Sequence, residues 1–255
     1  MGPMFFLVQY ARVMHAIRRF LSRKGLLQRL TRRAQRSDGN LWVRSLFSVL
    51  DFHDFHTLDT PWWTLASGRK VKDFLASTPE ARVLEWGSGA STVWLGKRSA
   101  EVFSIESDKH WAEMVATAVP SHVRILTPDI PPAGEETWAR SRRSGFRHLD
   151  FSHYVDVIDD IPGLFDLIVI DGRAREACLA KAITRLAPAG IIVFDNTNRR
   201  RYRAALREYD DVVSVSSDIG LTPILMWPSR TSIIRLKPAY AAIESTDLAS
   251  LSTRS

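Results

Sequence analysis

Cysteine is almost absent from this 255-residue chain: Cys178 stands alone, which excludes an internal disulfide and a cysteine-built zinc cluster and suits a reducing compartment. Long apolar runs are missing too. None approaches the roughly 18 to 20 residues that cross a bilayer, and Met4 to Val8 is shorter than the apolar core of about 7 to 15 residues in a secretory signal. A cytoplasmic protein is the expectation. Acid is missing from residues 1–37, where nine Arg and Lys residues stand. Beyond them 26 basic residues meet 28 acidic ones, so the net charge of +7 belongs to this segment. The apolar fraction of 45% and charged fraction of 25% are ordinary for a soluble globular protein. The length suits one α/β domain of about 170 to 200 residues plus an extension.

The basic segment carries a pattern. Between Phe5 and Leu30, Tyr10, Val13, Met14, Ile17, Phe20 and Leu21 recur at helical spacing with Arg12, Arg19 and Arg23 interleaved, and Gly25 interrupts them. Such a basic amphipathic helix can pack on the domain, dock peripherally on an anionic membrane such as the inner face of the cell membrane, or remain a loose arm. No nucleic-acid reader motif accompanies the charge, so nucleic acid is not an expected partner. Residues 1–59 are expected to form this extension, with a linker at Ser37 to Asn40 and a short helix over Leu41 to Leu50. Residues 60–237 are expected to form the domain, and 238–255 a patternless tail open to disorder. In DFHDFHTLDTPWWT, the types His53, His56, Asp51 and Asp54 suit a metal. The run leads into Pro61, Trp62 and Trp63, however, which favours an aromatic lid or core.

A glycine is also missing where a dinucleotide fold would need one. In RVLEWGSGASTVW, Arg82 to Trp94, a buried strand gives way to the turn Gly87–Ser88–Gly89 and a helix start, but Thr92 replaces the third glycine of G-x-G-x-x-G. Glu85, two residues before the turn, would repel a pyrophosphate and welcome a cationic ligand. The turn therefore suits S-adenosylmethionine (SAM) better than NAD. Glu106 ends a second strand, Glu101 to Ile105, where an acid can accept hydrogen bonds from ribose hydroxyls.

Further strands are expected at His122 to Leu126, Phe165 to Ile170, Ile191 to Phe194, Val212 to Ser216 and Thr231 to Leu236, alternating with helices. The fourth ends in Asp171 and the fifth in Asp195–Asn196. Between the third and fourth lies a proline-rich and then arginine-rich segment, 127–152, long enough to be read as a cap over an acceptor site.

The ordered set VLEWGSGAST, VFSIES, FDLIVIDGRARE, GIIVFDN and WPSRTSIIRL resembles the class I SAM-dependent methyltransferases over residues 60–237. DGRAR with DN looks most like their small-molecule and sugar O-methyltransferases. The resemblance implies a doubly wound, mostly parallel seven-stranded Rossmann-like sheet. It implies a cofactor site of Glu85, Gly87, Ser88, Gly89, Ser91, Thr92, Glu106, Ser107 and Asp171, and methyl transfer to a hydroxyl of a small molecule or glycan. In metal-dependent members, positions matching Asp171, Asp195 and Asn196 hold Mg²⁺. Otherwise Asp171 is the general base, with His153 the second candidate, and Arg173 and Arg199 meet the acceptor. An aminopropyltransferase, or a membrane-associated scaffold without turnover, would share this fold.

Overall fold

The computed structural model describes residues 3–241, with side chains from Gln9 to Tyr240. The tail assigned to 238–255 lies outside the described residues from 242 onward; before that, Pro238–Ala241 is a helical turn.

Seven strands form one sheet in the order β3-β2-β1-β4-β5-β7-β6. β1 (Arg82–Trp86), β2 (Glu101–Ile105), β3 (Val123–Leu126), β4 (Phe165–Ile170) and β5 (Leu186–Asp195) pair in parallel, while β7 (Ser229–Leu236) lies antiparallel between β5 and β6 (Val213–Gly220). Strand residues alternate between two buried layers. Leu84, Ile168, Ile170, Ile192 and Phe194 face one core; Val83, Leu167, Val169, Ile191 and Val193 face the other. Burial on both faces is why these strands read as continuous apolar runs. The chain order reverses between β1 and β4, so their carboxyl ends flank the crevice where open α/β sheets bind ligands.

β6 is longer than its expected span, Val212 to Ser216. Ser214, Ser216, Ser217 and Asp218 give this edge strand a polar, half-exposed pattern that hydropathy does not register. The helix ahead of β1 is likewise longer than the expected Val71 to Ala76, running Leu65–Ala76.

The N-terminal segment forms α1 (Pro3–Arg23) and α2 (Leu26–Ala34), broken at Gly25, whose φ of 66° suits a residue without a side chain. The expected linker at Ser37 is instead a helix start. Ser37 Oγ accepts the Asn40 N–H at 3.3 Å and opens α3 (Asp38–Ser45). This layer packs on the domain. The Trp42 indole donates to the Leu225 carbonyl at 2.7 Å, the Ile224 N–H donates to Ser45 Oγ at 2.8 Å, and Ala11 joins Val49, Phe55 and Ile224 in a small core. Of the apolar residues in the helical repeat, Val13, Ile17 and Phe20 are 57%, 40% and 59% exposed, while His15 and Arg18 turn to the Val49 carbonyl and the Asp51 carboxylate.

Candidate active site

The turn after β1 is shaped by one compulsory glycine. Gly87 has φ of 100°, and a Cβ there would stand 2.7 Å from the Gly172 backbone. The ends of β1 and β4 therefore touch through two glycines. Gly89 is extended, and a Cβ there would meet nothing within 4 Å, so its face opens on free space. Glu106 at the end of β2 fastens the turn. Its Oε2 accepts the Ser88 N–H at 3.0 Å and its Oε1 the N–H groups of Ser107 and Asp108 at 2.6 and 3.0 Å. Oε2 keeps a lone pair for a ligand hydroxyl.

Glu85 does not face the ligand side as expected. It lies on the inner face of β1, fully buried, and accepts hydrogen bonds from Ser91 Oγ, Thr92 Oγ1 at 2.5 Å and Ser104 Oγ at 2.9 Å. Thr92 is occupied too: its hydroxyl also accepts the Gly89 N–H at 2.8 Å. Burial raises the Glu85 pKa to about 7 against the pull of the three hydroxyls. These residues brace the turn from beneath, and the cavity above is lined by Gly87, Ser88, Gly89, Ser91, Glu106 and Ser107.

That cavity, of about 860 Å³, continues over the ends of β4 and β5 to Asp171, Asp195 and Asn196. A residue passed over in the sequence organises this end. Arg175, buried at the start of α9 (Arg175–Thr184), donates from Nη2 to Asp171 Oδ1 at 2.6 Å and from Nη1 to the Asp195 carbonyl at 2.7 Å, with Asp195 Oδ2 3.9 Å away. Its Nε reaches the Gly172 carbonyl at 3.0 Å. The Mg²⁺ expectation fails on this donor set. A guanidinium already pairs with Asp171 and stands 3.9 Å from Asp195 Oδ2, Asp195 Oδ1 accepts from Thr231 at 2.7 Å, and Oδ2 accepts from the Asn196 amide. A divalent ion would have to displace or repel that buried positive charge. Among the described residues no group of three or more His, Cys, Asp or Glu is arranged around a metal-sized point, which also disposes of the His53–His56 set. Asp195 and Asn196 instead shape the turn after β5, Asn196 with φ of 60°. Asp171 stays 22% exposed to the cavity. Burial raises its pKa while Arg175, then Arg173, oppose the rise.

His153 is not at the site. Its helix, α8 (Ser152–Asp156), buries Tyr154 and Val155 under the sheet, which turns His153 outward to solvent beside Asp129. Arg173 and Arg199 do line the cavity, and Ser141 to Arg143 from the 127–152 segment join them, in line with a cap. The two tryptophans expected as lid or core divide, Trp62 lining the cavity and Trp63 buried, and other aromatics stand beside the turn. Phe52 stacks edge-on against Trp111, whose indole donates to the Ser88 carbonyl at 2.7 Å, while Trp63 packs in the core. Among the described residues five non-glycines have positive φ, and four of them, Leu50, Ala174, Asn196 and Ile224, line this cavity. Backbone held in a costly region collects at functional sites. A β-branched residue such as Ile224 rarely adopts it.

Five parallel strands followed by an inserted antiparallel β7, with an acid-ended β2 and a glycine turn on one crevice, define the class I SAM-dependent methyltransferase fold. The same architecture is found in an O-methyltransferase from Bacillus cereus solved with SAH, at 18% identity and a TM-score of 0.50 over 76% of this chain and 90% of that one. It is found again in the O-methyltransferase TomG from Streptomyces achromogenes, involved in tomaymycin synthesis and solved with SAM, at 17% identity and a TM-score of 0.51 over 76% and 89%. At these identities the likeness is one of fold. Neither a protein-family model nor a curated protein matches the sequence.

Proposed function

We propose that this protein transfers the methyl group of SAM to a hydroxyl oxygen of a small molecule or glycan. The observation that carries the reading is the placement of Glu106, the Gly87–Gly89 turn and Asp171 on one cavity at the switch point of the sheet. In this reading the adenosine half lies along the turn, with a ribose hydroxyl on Glu106 Oε2, between Phe52 and Trp111 on one side and Ser107 on the other. Bound SAM supplies an electrophilic methyl on a good leaving group. Asp171 takes the acceptor's proton, held in place by Arg175, whose charge opposes the rise that burial gives the Asp171 pKa. Positioning does most of the work, because displacement needs oxygen, carbon and sulfur in line. The test is transfer of tritiated methyl from SAM to a panel of sugar and phenolic hydroxyls. We expect Asp171→Asn to lower kcat by a factor of about 10² to 10⁴ with SAM affinity kept. Equal turnover in the variant would remove Asp171 from the chemistry.

The exposed Val13, Ile17 and Phe20 between Arg12, Arg19 and Arg23 support a second element of the proposal: α1 rests on an anionic membrane surface while its other face holds the domain. Among the described residues no helix is long and apolar enough to cross a membrane.

A further inference from the structure

Three of the arginines that line the cavity stand, among the described residues, without a carboxylate at ion-pair distance. Arg175 is matched by Asp171 and Asp195, and Arg201 faces Glu176 at 3.3 Å. Arg143, Arg173 and Arg199 line the same cavity from three separate segments, the 127–152 cap, the end of β4 and the start of α10 (Arg200–Arg207). Among the described residues none of the three has a carboxylate oxygen within 4 Å. They are held close by aromatic platforms instead. The guanidinium groups of Arg143 and Arg173 lie over the Phe146 ring at 5.9 and 4.7 Å from its centroid, and that of Arg199 over Tyr202 at 5.6 Å. Arg173 Nε is buried and has no hydrogen-bond partner. Burial, and then the neighbouring charges of Arg173, Arg199 and Arg175, press the Arg143 pKa down. Like charges brought together without an anion repel, and a buried donor without an acceptor is costly; both conditions call for a ligand.

We propose that the methyl acceptor carries a phosphate monoester, which Arg143, Arg173 and Arg199 grip while its hydroxyl meets Asp171. This rests on the methyl-transfer reading. A phosphate monoester carries close to two negative charges at neutral pH and presents three acceptor oxygens. Guanidinium forks match that geometry. A single carboxylate, including that of SAM's own methionine part, brings the three arginines one charge and two oxygens, fewer of each than the phosphate.

The test is calorimetric titration of the full-length protein with inorganic phosphate and, separately, acetate, each with and without saturating SAH. Phosphate should bind in both conditions and acetate at least tenfold more weakly. Arg143→Gln and Arg199→Gln should each weaken phosphate tenfold or more. Arg200→Gln, one residue along and outside the cavity lining, should leave it unchanged, and SAH affinity should stay within twofold throughout. Absence of phosphate binding, equal binding of acetate, or phosphate binding indifferent to both cavity variants overturns the proposal. Phosphate binding that follows this pattern in a protein that never binds SAH would uphold the anion site and sink the methyl-transfer reading instead. A soluble phosphomonoester and a lipid headgroup share this chemistry. Parallel titration with glycerol 3-phosphate and dioctanoyl phosphatidate separates them: a tenfold preference for the phosphatidate assigns a lipid acceptor, and equal or weaker binding of it a soluble one.

Discussion

Glu85 sits fully buried at the carboxyl end of β1 with three hydroxyls around it, and its proton makes stability depend on pH. Its folded pKa, about 7, lies above its ordinary value near 4.5, so the native state takes up a proton. Its contribution is present below about pH 4.5 and is lost as pH rises through about 7. Asp195 follows the same rule, raised to about 7 by burial and by the charge of Asp171. The urea midpoint should therefore fall between pH 5 and pH 8, and Glu85→Gln, which keeps an acceptor oxygen without the charge, should fall by less; an identical slope would remove Glu85 as the cause. Arg175→Met should cost about 3–5 kcal/mol at pH 8, because two buried carboxylates lose their counter-charge. Part of that loss should return at pH 5.5, below the value of about 7 to which Asp195 is raised, where that carboxylate can protonate. Strand-end acids were legible in the sequence: Glu106 and Asp171 stand on the cavity where their spacing after apolar runs put them. The direction in which Glu85 points was not, since a strand residue next to a turn can face either layer. Arg175 was hidden because its partners come from two strands separated by 24 residues at their ends, a distance no local spacing reports.

Among the elements, α1 shows the limit of a periodic pattern. The 3.6-residue repeat identified the helix and the interruption at Gly25, but the repeat cannot tell a face that packs from one that waits for another surface. Packing on the domain goes through Ala11, His15 and Arg18, leaving Val13, Ile17 and Phe20 outside. Replacing Ile17 and Phe20 with serine should then change stability by no more than about 0.5 kcal/mol each, while sedimentation with anionic liposomes drops severalfold. A large stability loss would show that the two residues are buried in solution, and unchanged sedimentation would exclude the membrane. The same reasoning covers β6, whose serines at the sheet edge disguised half of the strand, and Ser37, which reads equally well as a linker residue and as a helix cap.

For the molecule as a whole, the alternation of strands and helices identified the sheet, its crossover and the crevice, because burial on both faces writes a strong signal into each central strand. The cavity's charge balance was less visible. It depends on Arg143, Arg173 and Arg199 converging from segments far apart in the chain, and on the Arg175 guanidinium that stands beside Asp171 and Asp195, where the resemblance implied a metal. The proposed reaction requires that this crevice bind SAM without a metal. It is tested most directly by calorimetric titration of the full-length protein with SAM, in EDTA and in Mg²⁺, alongside Glu106→Gln. Micromolar binding of equal strength in both buffers is expected, weakened about tenfold or more in the variant. No binding by the folded protein, or binding that appears only with Mg²⁺, would contradict it.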